Sequence, residues 1–223
     1  ETLMLMSDVL RDTLGDEAVP RLTYLSGPSF AKEVAAGMPT AVVVAGKDAA
    51  VTKTCQRAWA TDKLRVYSSD DVVGVEMGGA LKNVIAIAAG AIDGLGFGYN
   101  SRAGMITRGL FEIGLLATKL GGNPLTVAGL SGMGDLVLTC TGDLSRNRTV
   151  GIELGKGRKL PDILAGLGHV AEGVKTTKSA YDLSVREGVE MPITHEVFRV
   201  LYEQKDPRQA VVDIMTRELR SER

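Results

Sequence analysis

A single lysine stands at the start of the most apolar stretch of the chain. Lys82 follows Gly78 and Gly79 and precedes residues 84–92, which are apolar on every side. It is the only Lys or Arg in residues 66–101. A lysine partly withdrawn from water can act as a general acid or base, whereas a lysine at a helix end can also extend its ammonium into solvent. The segment alone leaves both interpretations open.

A second segment has the residue types that bind anions. Ser145, Arg146 and Asn147 stand where a helix over residues 146–155 is predicted to begin. The free N–H groups of a helix start attract anions, and a guanidinium matches the geometry of phosphate oxygens. The alternative is an exposed basic turn in which Asp143 or Ser145 caps the helix.

Two glycine-containing turns could complete a site. Gly27 and Ser29 come directly after a predicted strand, where ligands bind in parallel α/β sheets; the alternative is a plain strand–helix turn capped by Ser26. Asp135 follows Gly134 and precedes an apolar run. Its carboxylate could cap a helix, which is the simpler interpretation of that segment alone, or pair with Lys82 and set its protonation state.

The elements before residue 71 predict an α/β fold. Short apolar or β-branched runs at residues 22–25, 40–45 and 64–68 predict strands, and residues 29–36 and 48–60 predict the helices between them. Alternating strands and helices are typical of a parallel sheet with crossover helices.

The pattern changes after Asp70, where the apolar spacing becomes helical. The predicted helices are 72–92, 103–120, 134–141, 146–155, 161–167, 173–187, 194–203 and 207–219. Because residues 86–92 are apolar all round, we expect the first of these helices to be central and surrounded by the others. The sequence therefore predicts a division into residues 1–71 and residues 72–223.

Composition narrows the class of protein. The 223 residues carry 26 Lys and Arg against 27 Asp and Glu, so no basic field favours nucleic acid or an anionic membrane. Of the 27 glycines, 22 lie in residues 74–173, which indicates close helix packing or a small-molecule site there. No span of a bilayer is expected, and two distant cysteines indicate reduced thiols in a cytoplasmic protein. His169 and His195 lack metal-ligand spacing, so no metal is expected.

Six stretches together resemble the bacterial-type NAD(P)-dependent glycerol-3-phosphate dehydrogenases. Their order and separations match over almost the whole chain. They are residues 25–33 (LSGPSFAKE), 79–83 (GALKN), 132–136 (GMGDL), 139–141 (TCT), 145–148 (SRNR) and 170–173 (VAEG).

The resemblance implies a role for each matching position. Lys82 would be the catalytic lysine, which donates a proton to the carbonyl oxygen of dihydroxyacetone phosphate as hydride arrives. Substrate would be bound by Lys82 together with Gly27, Ser29, Asn83, Asp135, Ser145, Arg146 and Asn147, with Arg146 mainly on the phosphate. A cofactor, NAD or NADP, would be lined by Ala31, Arg146, Val170 and Glu172.

The family begins with a strand, a Gly-x-Gly-x-x-Gly turn and a helix, and no such turn stands in this sequence. We therefore expect residues 1–71 to be the C-terminal half of a Rossmann-like parallel-sheet domain. Residues 72–223 would be a larger helical domain like the C-terminal domain of 6-phosphogluconate dehydrogenase. By itself the chain should have little or no activity.

Two other functions stay open. A related 3-hydroxyacid or 6-phosphogluconate-type dehydrogenase also has a lysine at the start of a central helix, but the string at residues 145–148 favours the glycerol phosphate enzymes. A non-catalytic helical module would give Lys82, Asp135 and Arg146 no reason to converge. The resemblance further implies a role in phospholipid synthesis and a possible homodimer.

Overall fold

The computed structural model describes residues 2–167, 171–219 and 221–222. These ranges contain three strands: β1 (Thr23–Ser26), β2 (Thr40–Gly46) and β3 (Leu64–Ser69). They also contain twelve α-helices: α1 (Met6–Leu14), α2 (Ala31–Ala35), α3 (Ala49–Trp59), α4 (Val72–Gly94), α5 (Tyr99–Lys119), α6 (Pro124–Val127), α7 (Asp135–Thr141), α8 (Arg146–Gly155), α9 (Leu160–Gly166), α10 (Glu172–Glu187), α11 (Pro192–Tyr202) and α12 (Pro207–Met215).

The sheet has the order β1-β2-β3 and is only partly parallel. Strands β2 and β3 are parallel, as predicted, with α3 as their crossover helix. The prediction of a parallel arrangement is wrong for β1, which pairs with β2 antiparallel so that Ser26 lies opposite Val43.

The length of α2 explains this difference. Five helical residues span roughly 7.5 Å, whereas the four residues of β1 span roughly 13 Å. The helix is too short to carry the chain back along the sheet, so β2 starts at the end of the sheet where β1 stops. The turn begins at Gly27, whose φ of 133° lies in the range that favours glycine.

Helix α4 is the centre of the helical part of the fold, as predicted. It begins where the Asp71 side chain accepts the N–H of Gly74 (2.8 Å). Its apolar face lies in one core with residues of α5, α7, α8, α10 and α11. The helix is long and apolar enough to cross a membrane, but 72% of its most apolar window is buried inside the protein, which is the environment of a core helix. The division of domains at residue 71 remains a prediction.

Three local elements were not predicted. They are a 3₁₀-helix at Asp16–Arg21, helix α6, and a π-helical turn at Leu130–Gly134 that runs directly into α7. The π-helical turn matters most, because it precedes Asp135.

The two cysteines are free thiols in different surroundings. Cys140, on α7, is fully buried in the helical core, and burial raises the pKa of its thiol to about 12. Cys55, on α3, is partly exposed.

Candidate active site

Lys82 meets Asp135 because the backbones of two elements touch nearby. A Cβ added at Gly78 would lie 2.6 Å from the carbonyl oxygen of Ser131, so glycine lets the π-helical turn press against α4. Four residues later in each element, Lys82 and Asp135 face one another, and Lys82 Nζ lies 2.5 Å from Asp135 Oδ2. The Lys82 side chain is 22% exposed and that of Asp135 is 5% exposed, so the ammonium is paired with a buried carboxylate rather than extended into solvent.

Asp135 is fixed from several sides. The hydroxyl of Thr139 donates to the Asp135 carbonyl oxygen (2.6 Å) and approaches its Oδ1 (3.4 Å). Burial raises the pKa of the Asp135 carboxyl, while Lys82, the Thr139 hydroxyl and the Gly27 N–H oppose that rise. The helix-cap interpretation of Asp135 is wrong, because no side chain caps α7 and this carboxylate pairs with Lys82.

The start of α8 presents backbone and side-chain donors of the kind that suit an anion. Ser145 caps the helix, as its Oγ accepts the N–H of Arg148 (3.2 Å). The N–H groups of Arg146 and Asn147 belong to the first turn, where no intrahelical acceptor exists. The Arg146 side chain is exposed and has no ion-pair partner among the described residues. Donors and a guanidinium are therefore available to an anion at one point.

Asn147 joins this helix start to the next one. Its side chain is buried, and Oδ1 accepts the N–H of Gly173 (2.9 Å) at the first turn of α10. A Cβ at Gly173 would lie 2.8 Å from the carbonyl oxygen of Asn83 and 2.7 Å from Asn147 Oδ1. The starts of α8 and α10 and the middle of α4 thus meet, and Glu172 stands at the junction.

One cavity of about 300 Å³ collects most of the predicted site residues. Its wall includes Gly27, Ser29, Lys82, Asn83, Asp135, Ser145, Arg146, Asn147 and Glu172. Ala31, at the start of α2, is exposed and does not line it. Val170 lies outside the described residues. The volume is at the lower end of the range for small-molecule sites.

Four further residues line this cavity: Phe30, Gly79, Thr139 and Leu144. Of these, Thr139 could have been predicted from the sequence, because it stands four residues after Asp135 and so shares its helix face. The turn at Ser26 also differs from expectation, since Phe30 rather than Ser26 precedes α2 and no side chain caps that helix.

A second cavity, of about 690 Å³, adjoins the first. Both have Gly27, Ser29, Gly79, Lys82 and Asp135 in their walls. Glycine at positions 27 and 79 leaves two positions of that shared wall without a side chain, and a Cβ at Gly79 would lie 2.9 Å from Ser26 Oγ. A flat ring could therefore approach Lys82 closely from this side.

The histidines have no catalytic surroundings in the described ranges. His195 Nε2 lies 2.8 Å from the Ser184 hydroxyl, and its ring packs on Tyr181. Residues 2–167 and 171–219 contain no cluster of three His, Cys, Asp or Glu side chains able to hold a metal ion. His169 lies outside the described residues.

Family models match both parts of the chain. The model of the NAD-dependent glycerol-3-phosphate dehydrogenase C-terminus matches residues 71–212, and the model of the corresponding N-terminus matches residues 1–52. The convergence of Lys82, Asp135 and Arg146 on one cavity also removes the ground for reading the chain as a non-catalytic module.

Curated relatives and solved structures agree. Over 99% of its length the chain is 61% identical to a glycerol-3-phosphate dehydrogenase [NAD(P)+] of Myxococcus xanthus, and over its whole length it is 59% identical to one of Geobacter sulfurreducens. It spans 66% and 67% of these proteins, about two thirds of their length.

The crystal structure of glycerol-3-phosphate dehydrogenase from Coxiella burnetii matches 97% of the chain, and the chain covers 66% of it, with a TM-score of 0.93 and 42% identity. A Plasmodium falciparum glycerol-3-phosphate dehydrogenase, at 21% identity and a TM-score of 0.88, shares the fold over 99% of this chain and 63% of its own. With the lysine–carboxylate pair and the open helix start in one cavity, these matches show that the chain belongs to the family of NAD-dependent glycerol-3-phosphate dehydrogenases.

Proposed function

We propose that this chain carries the substrate site for the interconversion of sn-glycerol 3-phosphate and dihydroxyacetone phosphate. The observation that supports the proposal is the position of Lys82 in one cavity with the start of α8. The Lys82–Asp135 pair (2.5 Å) suits proton transfer. Arg146, which has no ion-pair partner within residues 2–167, 171–219 and 221–222, suits a phosphate together with the N–H groups of its helix start.

Lys82 is the proton donor in the reduction. As hydride reaches the carbonyl carbon of dihydroxyacetone phosphate, negative charge develops on the carbonyl oxygen. The Lys82 ammonium donates a proton to that oxygen and is left as a neutral amine, and in the oxidation it takes the proton back. Asp135 stabilises the charged lysine and holds Nζ in place, and the Thr139 hydroxyl in turn holds Asp135.

The phosphate is bound at the start of α8. Arg146 supplies the charge, and Ser145 and the free N–H groups supply further donors. The Asn147 oxygen accepts the N–H of Gly173, and phosphate oxygens need donors, so Asn147 acts on the substrate through its amide nitrogen or serves as a brace. We assign Asn83, Gly27 and Ser29 to the walls that hold the three-carbon body.

The adjoining cavity of about 690 Å³ has Gly27, Gly79 and Lys82 in its wall and would admit the reactive end of the cofactor beside Lys82. When bound, NAD or NADP supplies or accepts the hydride. Glu172 lines the substrate cavity and is proposed to face the cofactor together with Arg146, Ala31 and Val170. A cytoplasmic location, a role in phospholipid synthesis and a homodimer remain part of this proposal.

The test is an assay of NADH and NADPH oxidation with dihydroxyacetone phosphate. The assay uses a fusion in which this chain replaces the matching 66% of the Myxococcus xanthus relative. Lys82→Ala should lower kcat by roughly 10³-fold, since general acid catalysis contributes about 10²–10⁴-fold. Lys47→Ala, at an exposed lysine outside both cavities, is the matched control and should leave the rate unchanged.

Two outcomes would contradict the proposal. An unchanged rate after Lys82→Ala would remove the lysine from the mechanism. Turnover of a non-phosphorylated 3-hydroxyacid, or of 6-phosphogluconate, with none of dihydroxyacetone phosphate would assign the chain to the related dehydrogenases instead.

A further inference from the structure

A carboxylate outside the cavity holds the arginine that follows the anion-binding turn. Asp93, near the end of α4, accepts from Arg148 Nε (3.2 Å) and Nη2 (2.8 Å). It also accepts from Arg102 Nη1 with both oxygens, at 3.2 and 3.0 Å. The three side chains are only 14–19% exposed, so this contact is better shielded from solvent than an ordinary surface ion pair. Neither Asp93 nor Arg148 lines the substrate cavity.

The Asp93–Arg148 contact joins the helix that carries Lys82 to the helix that carries Arg146. Lys82 and Asp93 are eleven residues apart, which is about three turns, so they lie on the same face of α4. Arg146 and Arg148 are two residues apart and point about 200° away from each other around α8. Arg148 can therefore hold α4 while Arg146 faces the cavity.

The packing of α8 on α4 brings the two backbones close together. A Cβ at Gly90 would lie 2.1 Å from the carbonyl oxygen of Arg148, and one at Gly151 would lie 2.0 Å from that of Ile87. Backbone therefore touches backbone along this contact. Glycines allow this close approach but have no side chains that fix the position of α8 along the axis of α4. The buried apolar side chains of α8 share a core with α4, and the Asp93–Arg148 contact adds a charged anchor between the two helices.

We propose that Asp93 is a positioning residue, which acts through Arg148 to set the place of Arg146 relative to Lys82. It tunes recognition of the substrate phosphate without touching the substrate. This inference rests on the proposed function, because it needs Arg146 to bind the phosphate.

The experiment is a double-mutant cycle in the fused enzyme described above. Asp93→Asn should lower kcat/KM for dihydroxyacetone phosphate about tenfold, mainly through KM, and leave the slow turnover of unphosphorylated dihydroxyacetone unchanged. In an Arg146→Ala background the same change should have no further effect. Glu153→Gln, which breaks two ion pairs at the other end of α8, is the matched control and should change neither substrate's kinetics.

Equal losses on both substrates, or the same loss with and without Arg146, would overturn the inference and leave only a structural role. If Asp93→Asn does not fold by circular dichroism, Arg148→Lys replaces it, because a lysine keeps the charge but loses the two-nitrogen contact; a loss on the phosphorylated substrate alone is again expected. The two proposals fail separately. An inactive wild-type fusion contradicts the proposed function, whereas the positioning role is still tested by calorimetry of inorganic phosphate binding to the chain, which Asp93→Asn must weaken.

Discussion

Helices α8 and α11 both start inside the helical region, yet their first turns meet opposite surroundings. The start of α8 opens into the cavity, with its own serine as cap and Arg146 beside it. The start of α11 is filled by Glu112 of α5, whose carboxylate accepts from Ile193 N–H (2.6 Å), Thr194 N–H (3.1 Å) and the Thr194 hydroxyl (3.0 Å). Both starts present first-turn backbone N–H groups without an intrahelical acceptor, and both have the same dipole. The difference teaches that a helix start becomes a ligand site where the protein leaves its donors without an acceptor.

We call the start of α8 the open start and the start of α11, whose donors Glu112 accepts, the closed start. The largest expected effect comes from removing Glu112 from the closed start. Glu112→Ala removes the acceptor of three buried donors and should destabilise the chain by about 4 kcal/mol, measured by denaturant unfolding. Because Glu112 is outside the cavity, the folded variant should keep its affinity for sn-glycerol 3-phosphate. A loss of affinity at unchanged stability would mean that the two helix starts are not independent.

Removing the arginine at the open start of α8 should have the opposite effect: weaker ligand binding at unchanged stability. Arg146→Ala should weaken sn-glycerol 3-phosphate binding about 100-fold, or about 3 kcal/mol, as expected for a charged hydrogen-bonded contact. The free energy of unfolding without ligand should stay within about 0.5 kcal/mol of wild type. Calorimetry and unfolding give the two numbers, and Arg158→Ala, an arginine just beyond the other end of α8, is the control expected to bind normally.

The closed start should also make stability depend on pH. Burial raises the pKa of the Glu112 carboxyl from 4.5 to about 7, although three hydrogen bonds oppose the rise. Between these values the folded chain binds more protons than the unfolded chain, so stability must fall as pH rises. The contribution is about 2 kcal/mol between pH 5 and pH 7.

Glu112→Gln cannot titrate and should lack this fall. The free energy of unfolding is measured for wild type and for the variant at pH 5 and at pH 7, and the difference between the two proteins is compared between the two pH values. A difference that stays constant with pH would show that Glu112 remains ionised, held by its three donors.

The smallest effect belongs to the cap of the open start. Ser145→Ala leaves the Arg148 N–H without its acceptor and should cost about 1 kcal/mol of stability. Ser145→Thr keeps a hydroxyl and should recover most of that loss in thermal unfolding. If threonine is as damaging as alanine, the hydroxyl is not acting as the cap.

The open helix start could be predicted from sequence, and the closed one could not. Ser145, Arg146 and Asn147 stand together in the chain, so their types and order predict a helix start with Ser145 as a candidate cap, but they leave open whether it binds an anion. Glu112 is one charged residue in an ordinary helix, and its partner Ile193 is 81 residues away. Only the packing of α5 against α11 brings the two together.

The sheet teaches a similar limit. The β-branched residues predicted the strands, but the direction of β1 depends on how far α2 can carry the chain. Because β1 runs antiparallel, its last residue lies near the first residues of β2. Gly27 and Ser29 therefore reach the cavity from β1 alone, and the loops that follow β2 and β3 do not line it.

The alkylation rate of the buried Cys140 thiol reports how often the active site opens. The thiol lies on α7, the helix that begins with Asp135, and with a pKa of about 12 and no exposed surface it cannot meet an alkylating reagent in the closed fold. Its modification rate therefore counts the openings in which α7 leaves the core. The same openings would separate Asp135 from Lys82. A ligand that holds the pair together should therefore lower the alkylation rate of Cys140, while the rate of the partly exposed Cys55 should stay the same.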